Sequence, residues 1–241
     1  MKKILLFVIL CLCFIGKVNA QDITLDKFVN VINNGEVTRS FINSLPKNSV
    51  GSINAIKNSD TVIRIDCSFT IPNYDKDGNV SYSTEQFGID FVYDLNTNVL
   101  QGEKSYDTKT DEYISPYILS VLKLVPYWTV ESSSKFENIK GYLGNDDIID
   151  TFSKIFDKCY FDKMGVCYTE ITEYTLITYM SKVELTDKSA DYAIAYFKEV
   201  EKENDEAEFM GFLTKILIGL VIAIVVVYLL DMYASGFLFR S

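Results

Sequence analysis

One stretch near the end of the chain limits what the rest can be. Residues 212–230 read FLTKILIGLVIAIVVVYLL, and within them 216–230 hold no charge, no proline and one glycine. A bilayer core of about 30 Å takes roughly 20 mainly apolar residues as a helix. Phe209 and Phe212 lengthen the stretch on one side and Met232 and Tyr233 on the other, and the long stem of Lys215 lets its ammonium reach an interface. The pattern predicts one transmembrane helix over 209–233 with a short tail, 234–241. Everything upstream then reads as a domain held at a membrane surface.

The first twenty residues carry a second apolar run. Lys2 and Lys3 precede an uncharged segment, 4–15, and Val18-Asn19-Ala20 places a small residue at the end of the run. This arrangement resembles a bacterial secretory signal, too short in its apolar part to span a bilayer. Cleavage after Ala20 is the expectation, which would put residues 21–208 outside the cytoplasmic membrane (the periplasm, in a bacterium) and the tail inside. Arg240 in the tail and the acidic run 199–208 before the span agree with that direction.

Charge and the absence of one residue type narrow the chemistry. The formal charge of −10 becomes −13 once Lys2, Lys3 and Lys17 leave with the signal. Such a surface repels nucleic acid and anionic headgroups. With no histidine, Ser-His-Asp and Cys-His catalysis and most zinc sites are excluded. Cys67, Cys159 and Cys167 remain after cleavage. Cys67 alternates with apolar residues and reads as a small buried hydrophobe. Cys159 and Cys167 flank what reads as a hairpin bend, 162–165, and are the expected disulfide partners in an oxidising compartment.

Hydrophobic periodicity predicts an α+β fold: an antiparallel sheet with packed helices. Thr24 caps a helix over 25–33, with Leu25, Phe28, Val29 and Ile32 on one stripe; a second helix spans 36–45. The Asn- and Ser-rich residues 47–59 read as a connector. Two strands alternate cleanly. In 61–71 the apolar set is Ile63, Ile65, Cys67, Phe69 and Ile71; in 85–95 it is Phe87, Ile89, Phe91, Tyr93 and Leu95. A turn at 96–98 leads to a third strand, 99–104, completing a meander. Pro116 opens a helix expected to stop at Leu124, before Pro126, and 131–144 read as loop. Asn145 is the expected cap of a helix over 146–158, strand-like sequence fills 166–185, and 187–208 read as a helix running into the span, or as a strand over 191–197. The order hints at two similar halves, about 21–107 and 145–208, and is similar to curved-sheet folds such as cystatin-like or NTF2-like domains. That likeness concerns fold only.

Few residue groups suggest chemistry. Asn73, Asp75, Asp77 and Asn79 alternate ahead of an apolar residue like the first half of a calcium loop, but Thr84 stands where the twelfth-position glutamate belongs. A polar hairpin turn at Asp77-Gly78 is the competing reading. Asn79-Val80-Ser81 is also a glycosylation sequon. Asp146, Asp147, Asp150 and Glu170 offer carboxylates without a defined separation, and first-turn acids on a helix are ordinary caps. Tyr127-Trp128 reads as a core-edge pair or a stacking platform. Gly219 and Ala223 form a small-residue face on the span, suited to a helix–helix homodimer.

No catalytic residue and no cofactor are assigned. The expectation is a single-pass, non-catalytic binding or assembly protein presenting an acidic, Tyr-rich domain to another envelope protein. The alternatives are a His-independent enzyme using a carboxylate pair, and a calcium-steadied adhesion module.

Overall fold

The computed structural model describes residues 22–107, 117–144, 147–163, 165–172 and 176–234; for 105–107, 157–163, 165–172, 176–178 and 233–234 it describes the backbone alone. The expected signal, and Pro116 as the first residue of a helix, lie outside these residues. The chain divides into two units with the boundary between Ile194 and Ala195.

Two short helices lead. α1 (Leu25–Asn34) starts at Thr24, whose Oγ1 accepts from Lys27 N at 3.3 Å, and buries Leu25, Phe28 and Ile32. α2 (Glu36–Asn43) follows after Gly35 and buries Val37, Thr38 and Phe41. Its N-cap, Gly35, has no side chain to satisfy the first amides of the helix.

Next comes a strand the sequence reading did not anticipate. β1 (Val50–Lys57) occupies the expected connector. Its polar composition hid a two-residue alternation: Ile53 and Ala55 point to the core while Ser52 and Asn54 face away. At this sheet edge Asn33 of α1 imitates a neighbouring strand. Its Nδ2 donates to Ala55 O at 2.9 Å, and its Oδ1 accepts from Ala55 N at 2.7 Å. That satisfies outward backbone groups which would otherwise invite another chain to pair.

β2 (Val62–Tyr74), β3 (Val80–Asp94) and β4 (Val99–Asp107) form the expected meander, each longer than its alternation suggested. The 94–98 turn is held by Asp94, whose Oδ1 accepts from Asn96 N and whose Oδ2 accepts from Thr97 Oγ1, both at 2.8 Å. β5 (Gly165–Thr172) and β6 (Leu176–Glu184) join the same sheet. All six strands are antiparallel, in the order β1-β2-β3-β4-β6-β5. Strands from both of the stretches that read as similar halves therefore share one sheet.

Three helices lie between β4 and β5. α3 (Tyr117–Ser132) runs straight through Pro126, against the expectation that it would stop there. Residues 124–132 are all buried, so packing on every side outweighs the one helical bond that proline removes. α4 (Phe136–Leu143) fills the segment read as loop, burying Phe136, Ile139 and Leu143 at helical spacing behind the turn at Ser133. α5 (Ile148–Lys163) is capped by Asp147, whose Oδ1 accepts from Ile149 N at 2.7 Å, whereas the expected cap Asn145 lies outside the described residues. The helix also continues to Lys163 and β5 begins at Gly165, so Asp162 and Lys163, expected in a hairpin turn, are helical. A helix persists there because Phe152, Ile155 and Phe156 are buried at helical spacing.

The helices cover one face of the sheet. Ile63, Ile65, Phe69, Ile89, Phe91 and Leu100 of that face are fully buried beneath them. The sole tryptophan, Trp128, is 0% exposed; its Nε1 donates to Thr38 Oγ1 at 2.9 Å, and Phe28 meets the ring edge-on at 6.5 Å. Tyr127 is buried on Phe152 and Phe156. The pair is thus core and cannot serve as a stacking platform.

α6 (Lys188–Ala234) is one continuous helix of 47 residues, which excludes the strand considered for 191–197. Its first turns bury Ala190 and Ala193. From 201 to 231 every residue is exposed, including the apolar stretch. Among the described residues this is the one helix long and apolar enough to cross a membrane.

Candidate functional site

The other face of the sheet is uncovered, and it is where exposed charge and exposed aromatics meet. Register decides its composition. β2 and β3 place Arg64 opposite Asp90 and Asp66 opposite Gly88; β1 adds Asn54 beside Asp66, and β4 adds Glu103 beside Asp90. Residues opposite one another in an antiparallel pair share a face, so these side chains form a continuous row.

Arg64 is at its centre. Its Nε donates to Asp66 Oδ1 at 2.8 Å, and its Nη1 reaches both oxygens of Asp90 at 3.3 Å. The hydrogen bond and charge of Asp66, with the charge of Asp90 behind them, raise the guanidinium above its ordinary value. Gly88 makes the space: a Cβ there would stand 2.3 Å from Arg64 Nη2 and 2.7 Å from Asp66 Oδ1. The result is a polar depression of about 570 Å³, bordered by Ser52, Asn54, Ser68, Gln86 and Lys104. Further along the face, Asp90, Asp94, Gln101, Glu103 and Lys182 border a second of about 480 Å³. Both are shallow and open. Such a surface can present hydrogen-bond donors, acceptors and mostly negative charge to a partner. No nucleophile with an adjacent base stands on it among the described residues.

The sequence-derived candidates are scattered. Asn73, Asp75, Asp77 and Asn79 sit at the tip of the β2–β3 hairpin. There Asp75 Oδ1 accepts from Asp77 N at 2.9 Å and Asn79 N at 2.8 Å, and Asp75 Oδ2 accepts from Asn79 Nδ2 at 2.8 Å. The Asn79 side chain, then these amides, hold the Asp75 carboxyl below its usual range. Gly78, at φ +82, supplies the left-handed residue of the turn. The carboxylate is thus engaged in closing its own turn. Cys159 is on α5 and Cys167 on β5, and their side chains lie outside the described residues, as do Asp146 and the side chain of Glu170. Asp147 and Asp150 are at the start of α5, where Asp150 pairs with Lys154 at 2.6 Å. Gly219 and Ala223 are on the exposed part of α6. Cys67 is buried, and burial pushes its thiol up to about 12, so it is inert.

Of the buried carboxylates, two that hold helix ends escaped the sequence reading. Glu131 of α3 caps α2 from outside: Oε2 accepts from Val37 N at 3.1 Å, and Oε1 accepts from Glu36 N. Gly35 is required by that approach, since a Cβ would stand 2.5 Å from Glu131 Oε2. Burial raises the Glu131 carboxyl above its usual range against the pull of those two amides. Asp187, just before α6, accepts from Ser133 Oγ and Ser134 Oγ, each at 2.8 Å. Lys135 pairs with Asp191 one turn later. Backbone bonds from Ile23 N to Leu185 O (3.0 Å) and Leu185 N to Asn98 O (2.7 Å) tie in the segment just before. The start of α6 is therefore fastened to the sheet end and to the α3–α4 turn. Pairs so distant in sequence leave no local signal.

No protein-family model, curated protein or solved structure matches the chain.

Proposed function

We propose that the protein is a single-pass membrane protein whose acidic α+β domain binds or assembles with another protein outside the cytoplasmic membrane, without catalysing a reaction. The supporting observation is the uncovered sheet face: wide, open and lined with paired charges, in a domain whose last helix continues into a fully exposed apolar segment. A catalytic site usually encloses its substrate and shifts the pKa of the groups that work on it. Here the largest shift belongs to Cys67, which faces the core, and the buried carboxyl of Glu131 is spent on a helix end. The secretory signal read at 1–20 supports placement outside.

The test has two arms. Arg at both Ile222 and Val226 costs about 2.5–3.5 kcal/mol each at a bilayer centre, enough to turn the span into a released, soluble protein. Gentle detergent extraction of the unaltered chain should give a complex larger than one chain in a micelle. Extraction as a lone chain, or membrane retention of the double variant, would defeat the reading.

A further inference from the structure

The β2–β3 hairpin outgrows its sheet. β1 accompanies β2 only as far as the Val50–Thr70 pair, and β4 accompanies β3 only from Asp90 onward. Beyond Thr70 the two strands pair with each other alone, through Pro72–Tyr82 to Tyr74–Val80. A two-stranded ribbon in water has little reason to carry apolar groups, since it has no core to bury them in. Register puts Pro72, Tyr74, Val80 and Tyr82 on one side; Pro72 is buried there, yet Tyr74 is 58%, Val80 47% and Tyr82 61% exposed. Asn73, Ser81 and Ser83 occupy the other. The turn is preorganised by Asp75 and Gly78, and Asn48 Nδ2 donates to the Tyr74 hydroxyl at 3.2 Å. The arm is therefore an ordered, amphipathic projection.

Two placements say what it meets. The apolar side of the arm is continuous with the uncovered face, where Asp66, Asp90, Asp94, Glu103 and Glu184 outnumber Arg64, Lys104 and Lys182. And β3 runs from the arm to Asp94, whose row continues through Val99 to Glu184, four residues before α6 begins. The arm thus lies roughly 45 Å along the sheet from the end that leads into α6.

We infer that the arm and the adjoining open face form one docking surface for a different protein, one offering lysine or arginine next to exposed apolar side chains. Tyr74, Val80 and Tyr82 anchor the apolar part, and the carboxylates select the charge. A second copy would bring the same excess of carboxylates against them, and an anionic lipid surface would be repelled likewise. The inference rests on the binding reading above and narrows it to a site and a partner chemistry.

The experiment places the photoreactive residue benzoylphenylalanine in the full-length chain at Tyr82 or, separately, at Val92 near the far end of the open face, and irradiates intact membranes. The expected result is one discrete adduct from position 82 with a different protein, at a segment richer in Lys and Arg than in Asp and Glu. Its yield should fall roughly tenfold with V80S and Y74S combined, at unchanged folding stability, and fall again at high salt. An adduct with a second copy, with lipid, or with an acidic segment overturns the inference. An adduct from position 92 alone overturns the arm but leaves the binding reading; none from either position overturns both.

Discussion

The two faces of this sheet are made by the same strands, one residue apart, and they tolerate change differently. On the covered face a glycine, Gly102, leaves room for an aromatic ring: a Cβ there would stand 2.3 Å from Phe91 Cε1. On the open face Gly88 leaves room for a guanidinium at the same 2.3 Å. The obstacle at Gly102 is locked among helices; the obstacle at Gly88 is the end of a flexible, half-exposed side chain that can swing into water. Equal crowding thus has unequal cost. Stability is concentrated on one face, and the other is left free to vary in composition without endangering the fold.

That contrast can be broken by substitution, read as unfolding of the detergent-held full chain in denaturant. The largest effect should come from Trp128→Ala, which empties the centre of the covered side and removes the bond donated to Thr38 Oγ1: a loss of about 3–5 kcal/mol. A loss below about 1 kcal/mol would mean that α3 is not the centre of the core. Gly102→Ala should cost about 1–3 kcal/mol by overpacking against Phe91. Gly88→Ala and Val80→Ser, on the open face, should stay within about 0.5 kcal/mol. If Gly88→Ala cost as much as Gly102→Ala, the open face would be as rigid as the covered one.

Glu131 sharpens the comparison through pH. Its folded-state pKa is raised, chiefly by burial, so folding favours the protonated acid. The corresponding stability is fully present below the ordinary glutamate value and is lost as pH rises through the raised one. The unfolding midpoint should therefore fall across that window, and Glu131→Gln, which keeps an acceptor oxygen for α2, should flatten the slope. Glu131→Ala, leaving two helix amides unpaired, should cost about 1–3 kcal/mol at any pH. Arg64→Gln, the open-face counterpart, should hardly move the midpoint, because its two ion pairs are exposed to water.

Much of the fold was legible locally. Period-two alternation at 63–71 and 87–95 is a property of adjacent residues on a pleat, and it named the covered face of β2 and β3 except at Leu95, which lies past the end of β3 in the turn and is exposed. The Thr24 cap, the α1 stripe and the apolar run of α6 are equally local. The Arg64 cluster was half legible: alternation put Arg64, Asp66 and Asp90 on the polar side, but only register brought Arg64 opposite Asp90.

What the chain by itself determined, then, is everything set by neighbours in sequence: the strand faces, the first helix, a helix able to span a membrane, and chemistry without histidine. Tertiary structure decided the rest. It made β1 a strand by giving Asn33 and β2 as partners to a weakly patterned segment. It carried α3 through Pro126 because burial on all sides outweighed one missing hydrogen bond. It gave α2 its cap from Glu131, 95 residues away from Glu36. In each case the deciding energy comes from groups far apart along the chain, and no local pattern records them.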